Sequence, residues 1–185
     1  MIIVERDKDG YERSIELDSR LYFDRILWFS GHIDSFNAED LAKKLLLLDA
    51  KGNGTITLFL NSPGGSVTDG LMIYDIFNTI RSKVDIICAG QCCSMAGVWL
   101  ASATGIRYAY ENATVMIHQV SSSAFGKEPD LEISLEYTKS LNDKLMTILS
   151  KNTNKPISQI YKDTERDNFM TAFEAKEYGL IDEIL

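Results

Sequence analysis

The sequence predicts an α/β protein. Strand-like and helix-like segments alternate along its 185 residues, and the links between them are short. Hydrophobic residues make up 45% and charged residues 25%, a balance that supports a packed core and excludes a disordered chain.

Each element follows from local pattern. Residues 25–31 (RILWFSG) read as a buried strand, and Asp34 to Asn37 offer caps for a helix to about Ala50, with Leu41, Leu45 and Leu48 at helical spacing. KGNG at 51–54 is a turn, and TITLFLN at 55–61 alternates Ile56, Leu58 and Leu60 as a strand does. SPGGS at 62–66 is a sharp loop before a helix to about Ile80, and VDIICAG at 84–90 is the next strand. Residues 92–103 form a short, almost uncharged helix, predicted to be buried because it has no polar face. Strands are predicted over 106–110 (IRYAY) and 114–119 (TVMIHQ), followed by a Ser-rich connection over 120–129.

A long helix runs from Asp130 to about Asn152, with Tyr137, Leu141, Leu145 and Leu149 every four residues. Its stripe is either core or a projection into a partner subunit. A short helix spans 156–163; Thr171 and Glu174 form a capping box for a last helix that stops at Gly179, and LIDEIL closes the chain as a strand-like end. No interdomain linker is visible, so residues 1–185 are read as a single domain.

Composition narrows the function. The 27 carboxylates against 19 cations leave a net charge of −8, which excludes a general grip on nucleic acid. Three cysteines are too few for a disulfide scaffold and suit a reducing compartment. No segment is apolar over a bilayer's thickness, so no membrane partner is expected, and the start of the chain lacks the pattern of a signal peptide, so the cytoplasm is the expected location. Cys88, Cys92 and Cys93 have no histidine nearby, and neither GxxxxGK[ST] nor GxGxxG occurs; no metal and no cofactor are expected.

What remains is nucleophile chemistry. Ser94, in GQCCSMAG, sits where a strand turns into a helix, which presents its oxygen beside free helix N–H groups. The plainer reading is a helix cap. In SPGG at 62–65, Gly64 and Gly65 let the backbone approach a ligand closely; the plainer reading is an ordinary turn. His118 ends an apolar strand, a rigid support for a base, or else is a satisfied core histidine. A catalytic imidazole needs an orienting acid, and both Asp163 and Asp167 qualify; the pattern does not choose between them. Cys93 as a thiol nucleophile is disfavoured, since Cys92 and Cys93 read as small buried residues.

From about Ser14 to Ile184 the chain resembles the proteolytic subunit of the Clp protease, a self-compartmentalising serine peptidase with the crotonase-like fold. The landmarks are SRLYFDRILWFSGHID at 19–34, LNSPGGSVTDGLMIYD at 60–75, GQCCSMAG at 90–97, VMIHQ at 115–119 and DTERDNFMTAFEAKEYGLID at 163–182, in this order. The resemblance implies a fold of repeated β-β-α units with a protruding handle helix. It aligns Ser94 with the family nucleophile, His118 with the base and Asp167, rather than Asp163, with the orienting acid. It assigns the oxyanion donors to the backbone N–H groups of Gly65 and Met95. It also implies two stacked heptameric rings fed with unfolded protein by an AAA+ unfoldase, which binds the ATP. In that frame residues 1–13 are an axial segment, residues 120–152 a handle region, and Arg166 pairs across the ring junction.

The chain also departs from the family. Val120 stands where Pro is usual, and SSSAFGKE at 121–128 replaces a glycine-rich strand that lines the substrate. In the surface groove that receives the unfoldase, Thr57 and Phe59 take two aromatic positions, so one aromatic is missing, and Thr79 takes a third. These departures keep two alternatives in view: a silent or paralogue-dependent ring subunit, and a crotonase-type acyl-CoA enzyme, which the acidic charge disfavours.

Overall fold

The computed structural model describes every residue except Asp7 and Ala124. Those two, in the predicted axial segment and handle region, lie outside the described residues.

The N-terminal stretch, for which the pattern predicts no strand, forms an antiparallel pair, β1 (Ile2–Arg6) and β2 (Glu12–Glu16), with Ile3 opposite Ile15. A short helix, α1 (Leu17–Phe23), follows. The body then alternates as predicted: β3 (Ile26–Ser30), α2 (Ser35–Lys51), β4 (Ile56–Ser62), α3 (Val67–Thr79) and β5 (Val84–Cys93). Asp34 caps α2 by accepting the Asn37 N–H at 2.8 Å, and Leu41, Leu45 and Leu48 are buried on one face. β4 alternates strictly, with Ile56, Leu58 and Leu60 fully buried.

β5 is longer than the sequence predicts, and the following helix is shorter. The strand runs three residues past Gly90, because Gln91–Cys93 find a new partner in β7 (Thr114–Ile117), and the helix α4 (Met95–Ala101) starts only after Ser94. All seven residues of α4 are buried, as its lack of charge predicts. Trp99 is its anchor: it donates its indole N–H to Gly70 O at 2.8 Å and meets the rings of Phe29 and Phe77 edge-on.

The first half of β5 pairs with β6 (Arg107–Ala109), and β6 with the terminal β9 (Glu183–Ile184). The second half pairs with β7, and β7 runs antiparallel to β8 (Asn168–Thr171). The sheet therefore forks at Gly90, whose φ of 118° suits glycine. The long α5 (Glu128–Thr153) packs on α4 and on α6 (Ile157–Asp163), while α7 (Ala172–Tyr178) touches β7 and β8 of one branch and β9 of the other. The predicted capping box closes α7: Thr171 and Glu174 exchange bonds, and Gly179 ends the helix in the left-handed region.

Arg107 ties the C-terminal end together. Its guanidinium donates to Gly179 O at 2.6 Å and Asn152 O at 3.1 Å and pairs with both carboxylate oxygens of Asp182. Arg107→Ala strands two carbonyls and a carboxylate, and a loss of about 2–3 kcal/mol in urea unfolding is expected. The side-chain bond from Arg107 holds the Asp182 carboxyl below its ordinary 3.8. A lowered folded value means the pair stabilises fully above 3.8 and loses its contribution as pH falls through the folded value. The stability gap between the native chain and Asp182→Asn is therefore widest near neutrality and closes in acid.

Candidate active site

Strand register brings three distant residues to one place. Cys93 on β5 pairs with Met116 on β7, and Ile117 on β7 pairs with Asn168 on β8. The residues just beyond these pairs are Ser94 and His118, and the residue just before Asn168 is Asp167. All three leave the sheet at the same end of three neighbouring strands.

Their side chains meet. His118 Nε2 lies 2.8 Å from Ser94 Oγ, and His118 Nδ1 lies 2.9 Å from Asp167 Oδ1. With Nδ1–H donating to the carboxylate, Nε2 is left to accept the serine proton. Ser94 Oγ makes no capping bond to α4, so the hydroxyl serves the imidazole rather than the helix. The Ser94 backbone has φ 56° and ψ −125°, a conformation side-chain-bearing residues rarely adopt. Its N–H donates to Met116 O at 2.8 Å, and its carbonyl accepts the Val98 N–H at 3.2 Å, which hold it there. The turn aims Oγ out of the buried start of α4.

Asp163 does not take part. Its carboxylate accepts the Tyr178 hydroxyl at 2.8 Å and the Gln159 amide at 2.6 Å, and burial followed by this bond pushes the Tyr178 hydroxyl well up. Of the two aspartates that the pattern leaves open, only Asp167 reaches His118. Burial, then Cys88, then Asp167 push the Cys93 thiol up, and burial pushes Cys92 well up; neither is primed to ionise.

The glycine loop is built against this group. A Cβ on Gly64, whose φ is 95°, would lie 2.6 Å from Ser94 Cβ, 2.7 Å from Cys93 O and 3.1 Å from Met95 N. On Gly65 it would lie 2.1 Å from Ile33 O. Ile33 N–H donates to Gly64 O and Ser66 N–H donates to Ile33 O, so this bridge does not use the Gly65 N–H. The Met95 N–H belongs to the first turn of α4, where amides lack helical acceptors. Among the described residues no backbone acceptor is shown for the Gly65 N–H, and Gly64 beside it packs against Ser94 and Met95. A side chain at Gly64 would push this loop off α4.

Sequence reasoning misses Gln119. Its N–H donates to Thr164 O at 2.8 Å and its side-chain amide to Glu165 O at 2.9 Å, joining the chain after His118 to the loop that carries Asp167. A polar residue directly after a strand-end histidine is the signal that points to it. Two positions at this cluster face outward. The Asp167 side chain is 58% exposed, and neighbouring Arg166 is exposed with no side-chain bond among the described residues.

On the outer face of β3 and β4, Trp28 stacks flat on Phe59, with ring centres 5.2 Å apart. The two residues are register partners. Thr57 instead stands opposite Ile26. Thr79 turns its hydroxyl back to Ile76 O at the end of α3.

A comparison with protein families finds one whose model, described as Clp protease, matches residues 9–185, nearly the whole chain.

Proposed function

The chain belongs to the Clp protease family, a family of peptidases with the crotonase-like α/β fold, and on that premise we propose that it is a serine endopeptidase that cuts unfolded polypeptides to short peptides. The observation that carries the proposal is the unbroken hydrogen-bonded chain Ser94–His118–Asp167 at 2.8 and 2.9 Å. His118 takes the Ser94 proton as Oγ attacks a peptide carbonyl, and Asp167 steadies the imidazolium. The Gly65 and Met95 amides hold the tetrahedral oxyanion. His118 then returns the proton to the leaving amine, and water, deprotonated by the same imidazole, releases the acyl group.

In the same proposal, residues 1–185 are a single domain that assembles into stacked heptameric rings in the cytoplasm, with residues 1–13 at the axial pore and 120–152 as the handle region. An AAA+ unfoldase admits substrate and binds the ATP; this chain uses no cofactor. Exposed Leu131 and Leu135 on one side of α5, and Ile133 and Tyr137 on the other, leave apolar surface on this helix suited to neighbouring copies. Exposed Arg166 beside Asp167 suits a pairing across the ring junction, which links assembly to the orienting acid. No helix among the described residues is long and apolar enough to cross a membrane.

A second reading, a ring subunit that is silent or active only beside a paralogue, rests on the altered handle strand, with Val120 and SSSAFGKE at 121–128, and on the altered groove at Thr57 and Thr79. Hydrolysis of a fluorogenic peptide, followed alongside the native mass of the particle, tests both. Turnover by the homo-oligomer supports the first reading. An assembled, inactive homo-oligomer that gains activity on mixing with a paralogue supports the second.

A further inference from the structure

The segment just after His118 is fastened to α5 by side chains. The Val120 N–H donates to Asn142 Oδ1 at 2.9 Å, and the hydroxyls of Ser122 and Thr138 lie 3.2 Å apart. The spacing of the two rungs fits their supports. Residues 120 and 122 share one side of an extended chain, about 6.6 Å apart. Residues 138 and 142 share one face of a helix, about 6 Å apart. The segment therefore runs beside α5 with two contacts whose spacing suits the helix face. The first of them needs a backbone N–H at position 120, which valine has and proline lacks.

Combined with Gln119, this holds the chain beyond His118 from two sides. Gln119 binds the loop of Asp167 through Thr164 O and Glu165 O, and Val120 binds α5 through Asn142. Ile117, the last residue of β7, directly precedes His118, so the backbone that aims the imidazole is fixed on one side by β7 and on the other by these bonds. Asn142 is half-buried, and its neighbours Leu141 and Leu145 are buried in the core, so its own position is rigid.

We propose that Asn142 is a positioning residue for His118, acting through the Val120 N–H, and that it replaces by a side-chain bond the stiffness a proline at position 120 would give. The proposal rests on the reading of Ser94, His118 and Asp167 as the catalytic group. It assigns Asn142 no contact with substrate.

The test uses the assembled full chain. Asn142→Ala is expected to lower kcat for a short fluorogenic peptide about tenfold or more with KM little changed, as substitutions do where the residue orients a catalytic group from behind. Asn142→Asp keeps an acceptor for the Val120 N–H and is expected to retain most of the activity. Val120→Pro removes the donor, so once it is in place Asn142→Ala should cost little more. Hydrogen exchange of peptides spanning residues 118–123 reads the latch without any catalysis; it should speed up in Asn142→Ala and not in Asn142→Asp. Equal losses in Asn142→Asp and Asn142→Ala, multiplicative losses in the double variant, or unchanged exchange in Asn142→Ala would overturn the proposal. An inactive native chain whose exchange follows this pattern contradicts the peptidase reading instead, so the two failures are distinguishable.

Discussion

Ser94→Ala is expected to abolish peptide hydrolysis, by on the order of 10⁵–10⁶-fold in kcat, while the particle mass stays unchanged. Under the proposed function the chemistry depends on a covalent acyl intermediate on Oγ, for which the site offers no substitute among the described residues. Cys93 is the nearest alternative nucleophile by sequence, but burial keeps its thiol protonated. The fold should tolerate the change. Ser94 Oγ does not cap α4, and the bond of its N–H to Met116 O survives in alanine. Residual turnover is expected from the oxyanion donors and binding alone. Hydrolysis of a fluorogenic peptide and native mass, measured on one preparation, check both halves of the prediction.

Asp167→Asn should cost about 10³–10⁴-fold in kcat in the assembled particle. The substitution removes the carboxylate that lies 2.9 Å from His118 Nδ1. The amide in its place presents an N–H or a weaker acceptor to Nδ1, which favours the wrong tautomer and leaves the imidazolium without a counter-charge. Asp163→Asn serves as the internal control. Asp163 is engaged with Tyr178 and Gln159, so its substitution should alter stability and leave kcat within a few-fold. Equal kinetic losses at the two positions would contradict the assignment of the orienting acid.

Much of this molecule is readable locally. Asp34 as a cap, the Thr171–Glu174 box, the alternation of Ile56, Leu58 and Leu60, and the uncharged α4 all mark their elements because the cause sits within a few residues of the effect. The failures share one physical reason. β5 runs past Gly90 because of a ladder with β7, more than twenty residues on, and the N-terminal pair β1–β2 forms from cross-strand pairing that local pattern does not encode. The site is divided in the same way. Ser94, His118 and the glycine loop announce themselves by their places at element ends, whereas the choice between Asp163 and Asp167 depends on the pairing of Ile117 with Asn168. That choice rests on the family resemblance at the level of sequence and on strand register at the level of structure. Asn142 is illegible from sequence, since its role depends on which helix face the segment after His118 lies against.

The most direct test of the central claim is to treat the assembled chain with a fluorophosphonate, digest it and locate the adduct by peptide mass. A serine whose proton is taken by a positioned imidazole reacts; an ordinary serine does not. One adduct is expected, on Ser94, absent from Ser94→Ala and strongly slowed in Asp167→Asn. An assembled native particle that carries no adduct, or carries it on a different residue, contradicts the account.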